Sequence, residues 1–194
     1  MANAQDLIVS SLEQGTDPNW GLSDIGKIQA DQCGEELLEK LGTFNPGKLV
    51  IASSPFSRCI ETAARVGSHF DIHLHDDERF LRMENLRERF FGSYDKSKSM
   101  LSYNAVWKED EKSAEWCPPD GGESVTAVAQ RVREAVQVLE ERYAQEGYNI
   151  IIVSHGDALS ILSCVLRDDD LCQHRKYGTS NCEIVRFPQS QLED

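Results

Sequence analysis

The 194-residue chain contains no run of apolar residues approaching the 18 or so that a membrane-spanning helix needs, so an integral membrane protein is not expected. The opening "MANAQD" lacks the basic start and apolar core of a secretory signal. The expected setting is therefore the cytoplasm, with the nucleus left open. Positive charge is scarce: 20 Lys and Arg stand against 33 Asp and Glu, a formal net charge of −13. Condensing onto a phosphate backbone takes clustered cations, so neither nucleic acid nor a membrane surface is an expected partner. Cys33, Cys59, Cys117, Cys164, Cys172 and Cys182 form no CxxC pair and no Cys/His set at zinc spacing, so free thiols and no metal are expected. Histidine is scarce too, with 5 in all, and the first of them is His69.

What is present is ordinary for one globular domain: 40% apolar residues, 27% charged, and enough length to bury a core. In "GLSDIGKIQADQCGEELLEKLG", Ile25, Ile28, Leu37 and Leu41 recur at helical intervals between a capping Ser23 and a stop at Gly42, which predicts a helix over 24–41. "GKLVIASSPFSRCIETAARVGSHF" predicts a buried strand from Leu49 to Ala52, a tight turn through Ser53, Ser54 and Pro55, and a helix. "FDIHLHDDERF" alternates like a strand that would put His73 and His75 on one face, and His69 ends the preceding helix. Residues from about 76 to 120 are polar and punctuated by Gly and Pro, an excursion over one end of the sheet. Val125, Val128, Val132, Ala135, Leu139 and Tyr143 then form one apolar stripe of a long helix between Ser124 and Gln145. "YNIIIVSHGDALSILSCVL" repeats the strand, turn and helix, with the strand from Ile150 to Val153, and "SNCEIVRF" reads as a last strand. His174 falls in a polar connection. Strands alternating with helices predict an α/β three-layer sandwich, a mostly parallel sheet covered on both faces.

In such folds ligands gather beyond the carboxyl ends of the strands, where helix N-termini offer unpaired N–H groups. The first strand-turn-helix unit places Ser53, Ser54 and Arg58 there, and the second places Ser154 and His155. A guanidinium and an imidazole converging at such a point suit a phosphate.

These residues carry a family resemblance. "ASSPFSRCIETA", "IIIVSHG", "LRERFFG", "GGES" and "LSDIGKIQA" resemble, in order along nearly the whole chain, the motifs of the histidine phosphatase superfamily, the phosphoglycerate-mutase-like proteins. The resemblance implies that Arg58 holds a phosphoryl group, with Gly156 beside it in the binding turn. His155 would donate to its oxygens, and Glu88 would be the general acid that protonates the leaving alkoxide. Taken alone, Glu88 would form an ordinary salt bridge with Arg87 or Arg89. The resemblance implies no cofactor.

One motif is broken. The family's first strand ends in Arg-His-Gly and an acid, and its histidine becomes phosphorylated. Here Leu7, Ile8 and Val9 look like that strand, followed by Ser10, Ser11, Leu12 and Glu13 in place of the four motif residues. A slipped register would match "EQG" on Gly15 alone. In either register the histidine is missing. A serine hydroxyl at position 11 would need a base to attack, and a seryl phosphate would be a stable ester. The expectation is a degenerate member that keeps Arg58, Glu88 and His155 and binds a phosphorylated small molecule, a phosphoprotein or another protein partner. The alternative is a working phosphomonoesterase with an unusual nucleophile or direct attack by water.

Overall fold

The computed structural model describes residues 5–74 and 78–187. Its sheet has three parallel strands, β1 (Leu49–Ser53), β2 (Phe80–Arg82) and β3 (Asn149–Val153), with β1 in the middle. Successive side chains of a strand point to opposite faces, and both faces of β1 are buried. Leu49 and Ile51 pack with Ala63, Val66 and Phe70 on one side. Val50 and Ala52 pack with Ala135, Leu139 and Tyr143 on the other.

The helices follow as α1 (Leu12–Gly15), α2 (Asp24–Leu41), α3 (Ser57–Ser68), α4 (Ser99–Asp110), α5 (Val125–Tyr143) and α6 (Gly156–Val165). α3 covers one face, with Cys33, Leu37 and Leu41 of α2 packed into the same cluster. α5 and α6 cover the other through Val125, Val128, Val132, Ile161 and Leu162. The expected three-layer α/β arrangement is the one observed. Ser23 caps α2 by accepting from Gly26 N–H at 3.2 Å, and Ser124 caps α5 by accepting from Ala127 N–H at 3.1 Å. Among the described residues no helix is long and apolar enough to cross a membrane.

Several local expectations are corrected. Leu7–Val9 is not a sheet strand: Leu7 makes one antiparallel bridge to Lys98, and Ile8 exchanges backbone bonds with Ser97 and Lys96. Ile8 is buried against the excursion, packed with Phe91 and Val106. Among the described residues of "FDIHLHDDERF", only Phe80 lies in a strand, at the start of β2. Asp71 turns the chain with φ 56°, His73 is exposed beside it, and His75 lies outside the described residues. Residues 180–187 form a turn and irregular chain, because Cys182 takes φ 58° and Glu183 folds back onto Ser180 N–H. Ile25 and Ile28 are exposed, and the buried face of α2 runs instead through Ala30 and Gly34. The polar excursion contains a full helix, α4.

Candidate functional site

The carboxyl ends of β1 and β3 lie side by side, joined by a bond from Ser54 N–H to Val153 O of 2.9 Å. This brings their turns together. Ser54 Oγ and His155 Nε2 share a hydrogen bond of 2.8 Å, and both side chains are buried. The Phe56 ring meets the imidazole edge to face at 4.9 Å. Cys59 donates to Ser154 O at 3.3 Å and lies 3.5 Å from Nε2. Burial, then the charges of Arg58 and Arg131, hold the His155 pKa well below 6.5, so the imidazole is neutral. Burial likewise pushes the Cys59 thiol up to about 12.

Arg58, in the first turn of α3, donates from Nη2 to Val9 O at 3.0 Å. Its Nη1 is buried with no partner among the described residues. Glu88 Oε2 stands 4.0 Å from His155 Nδ1, and Oε1 accepts from Arg89 N–H at 3.0 Å. The ion pair with Arg87 or Arg89 that Glu88 would form as an ordinary surface acid is absent among the described residues. Arg87 pairs with Glu123 at 2.7 Å, and Arg89 pairs with Asp110 at 2.7 Å. Burial raises Glu88 to about 7, with the charge of Asp157 adding to it and that of Arg58 opposing it. A carboxyl in that range is half protonated at neutral pH and can give up a proton.

The Glu88 loop is held from behind. Arg131 of α5 donates to the carbonyls of Asn85, Arg87 and Glu88 and to Glu123. Arg89, fully buried, forks onto Asp110 at 2.7 and 2.9 Å and reaches Asp157 at 3.4 Å. Asp157 also accepts from Trp107 Nε1 at 3.0 Å and lies 3.4 Å from both His174 Nε2 and Arg175 Nη1. Burial works against its charge. The nearby His174 imidazole and the Arg89 and Arg175 charges nevertheless hold its carboxyl well below the usual range. His174, expected in a polar connection, is completely buried.

The N-terminal wall carries Ser10 to Glu13, the residues expected in place of the family's first motif. Ser10 is buried, and its N–H and Oγ–H both donate to Asp95 Oδ1 at 2.8 Å. Its Oγ also accepts from Phe91 N–H at 3.2 Å. Ser11 precedes α1, and its Oγ is buried without a partner among the described residues, as is Gln14 Oε1. Gly15 is packed so closely that a Cβ there would overlap the Phe56 ring.

Ser54, Arg58 and His155 are thus gathered around Phe56 with Glu88 beside His155, while Val9 and Gly15, on either side of Ser10 to Gln14, touch Arg58 and Phe56. Leu12 and Glu13 point outward and are exposed. Gly156 is exposed with open space beside its Cα. Ser53 and Ser154 are turned into the framework, onto Ser54 O and Leu86 O. Sequence reasoning missed Asp95 and the Asp110–Asp157 framework. Asp157 had a usable signal, since an acid directly after His-Gly at a helix start demands a partner. Asp95 had none. Among the described residues no group of three His, Cys, Asp or Glu side chains is arranged to hold a metal.

Comparison with known proteins agrees with the geometry. Residues 9–191 match the family model of the histidine phosphatase superfamily (branch 1). No curated protein matches the chain significantly in sequence. Among solved structures, mycobacterial glucosyl-3-phosphoglycerate phosphatase in complex with VO3 is similar at 23% identity, over 93% of this chain and 82% of that one, with a TM-score of 0.72. The alpha-ribazole phosphatase from Shigella flexneri is similar at 25% identity, over 94% and 82% of the two chains, with a TM-score of 0.67. With nearly its whole length accounted for by one family model, and with Arg58, Glu88 and His155 gathered at the strand ends, this chain belongs to the histidine phosphatase superfamily.

Proposed function

We propose that this chain is a degenerate histidine phosphatase that binds a phosphorylated ligand, a small molecule or a phosphoprotein, and does not turn it over efficiently. The observation that carries this reading is Ser11, whose buried hydroxyl has no hydrogen-bond partner among the described residues and therefore no base to activate it. Among the described residues no imidazole replaces the missing one. His69 lies against Gly34, His73 is exposed beside Asp71, and His174 faces Asp157. Binding is supported by Arg58 Nη1, a donor free for an oxyanion, next to a neutral His155.

The second reading, a phosphomonoesterase using direct attack of water, has one observation in its favour. Glu88, raised to about 7, is poised as the acid such a reaction requires. An assay with an aryl phosphate separates the two. The binding reading expects no turnover above that of an Arg58→Ala, His155→Ala double variant. Turnover lost in both single variants establishes the hydrolase. Activity gained by Ser10→Arg with Ser11→His supports a scaffold that lacks only its first motif, and a folded double variant without activity counts against that register. The reading carries a cytoplasmic or nuclear setting, which imaging of a fluorescent fusion checks.

A further inference from the structure

The six cysteines are all free, but they are not equivalent. Cys59 and Cys164 are buried and donate to backbone carbonyls. Cys117 is exposed and Cys172 is half-buried. Cys33, on α2, and Cys182, in the C-terminal turn, are half-buried and in hydrogen-bond contact with each other. The chemistry at the strand ends uses neither of them.

Cys33 packs against the cluster of Leu49, Ile51, Ala63 and Val66, on the side of the sheet that α2 and α3 cover. Cys182 takes a left-handed φ of 58°, which a residue with a side chain holds only where its surroundings impose it. Here a tight turn imposes it. Glu183 N–H donates to Ser180 O at 3.2 Å, and Glu183 Oε2 accepts from Ser180 N–H at 2.8 Å. Asn181 and Glu183 are exposed, so the turn directs Cys182 inward between them. The charge of Cys182 bears also on the thiol of Cys59, in the first turn of α3, which places the turn on the same side of the sheet.

The contact makes the pair reactive as well as close. The hydrogen bond from Cys33 lowers the Cys182 thiol against the effect of burial. The same bond, with burial and the Cys182 charge adding to it, raises Cys33. Cys182 is therefore the member that ionises first, and the thiolate is the form that attacks a disulfide. Capping Cys182 removes the charge that keeps Cys33 protonated.

We propose that Cys33 and Cys182 form a reversible disulfide site, closed by small-molecule disulfides such as oxidised glutathione, that ties the C-terminal turn to α2. The Cys182 thiolate attacks one sulfur of the glutathione disulfide and breaks its S–S bond, releasing one glutathione thiolate. Cys33 then gives up its proton and attacks the Cys182 sulfur of the mixed disulfide, releasing the second. The departing thiolates take up the protons that the two cysteines lose, so the protein is oxidised by two electrons and the glutathione disulfide is reduced. Thiols already in contact need side-chain movement, not refolding, to reach the ~2.05 Å of the bond.

Non-reducing peptide mapping of the full chain after incubation with excess oxidised glutathione tests this. The expected product is an intrachain Cys33–Cys182 link that dithiothreitol reverses. Because the link joins distant parts of the chain, it raises the thermal midpoint by about 5–15 °C. In Cys33→Ser the reaction stops at Cys182 as a mixed disulfide with glutathione, and the midpoint does not rise. A folded, unaltered chain in which Cys182 stays capped without linking to Cys33, links to another cysteine, or does not react overturns the proposal. So does a Cys33–Cys182 link that leaves the midpoint unchanged, since it would not tie the turn down.

Discussion

The wall carrying Glu88 and His155 and the wall carrying Ser10 to Gln14 face the same phenylalanine, but they are fastened in different ways. The first is clamped by two buried arginines, Arg89 and Arg131, which tie its loop to Asp110, Asp157, Glu123 and three backbone carbonyls. The second depends on one carboxylate, Asp95, on a single antiparallel bridge and on a four-residue helix. The clamps of the first wall touch no part of the first motif. On the reading proposed above, serines at positions 10 and 11 therefore leave the hold on Glu88 and His155 intact.

The largest way to break this contrast is Arg89→Ala. It strands Asp110 as a buried unpaired charge, takes one partner from Asp157, and should cost about 3–5 kcal/mol, read from urea denaturation. A loss under about 1 kcal/mol would mean the framework is not what fixes the Glu88 loop.

Glu88 gives the next effect. Its carboxyl rises from 4.5 unfolded to about 7 folded, so between those pH values the native state holds more protons than the unfolded one, and stability falls as pH rises. The full effect, reached above about pH 7, is about 3 kcal/mol for a shift of that size. His155 works in the opposite direction, because its folded pKa is lowered and its contribution is lost as pH falls below 6.5. The clean reading is therefore the difference between the unaltered protein and Glu88→Gln, whose curves should diverge progressively from pH 4.5 to 7.

On the weaker wall, Asp95→Ala removes two hydrogen bonds to Ser10 and should cost about 1–2 kcal/mol. The smallest effect should have the opposite sign. Ser11→Ala removes a buried hydroxyl that lacks a partner and should leave the ligand-free protein unchanged or up to about 1 kcal/mol more stable. Loss of stability in Ser11→Ala would mean its hydroxyl has a structural partner after all.

Much of this arrangement is legible in the residues because it is local. An apolar run, a small-residue turn and a capped amphipathic stripe specify β1 with α3, β3 with α6, and α5 without reference to distant parts of the chain. The segments that were misread depend on distant partners. Leu7–Val9 has the composition of a sheet strand, yet it pairs with Ser97 and Lys98. Residues 180–187 are apolar enough to extend, but the left-handed Cys182 turns them. α4 hid in a polar stretch because its inward side chains are few, Val106 and Asp110 among them, and the acid is buried only by its fork to Arg89. In the site, Arg58, Glu88 and His155 were legible through motifs. Asp95 was not, since its role comes from its hydrogen bonds with Ser10, 85 residues away in sequence.

The central claim is a pocket that holds phosphate without processing it, and phosphorus NMR of the protein with a stoichiometric simple phosphate monoester reads both halves at once. The account predicts an ester resonance shifted and broadened by the protein, a shift lost in Arg58→Ala, and no inorganic phosphate appearing over hours. Steady growth of an inorganic phosphate signal that vanishes in both Arg58→Ala and His155→Ala would contradict it.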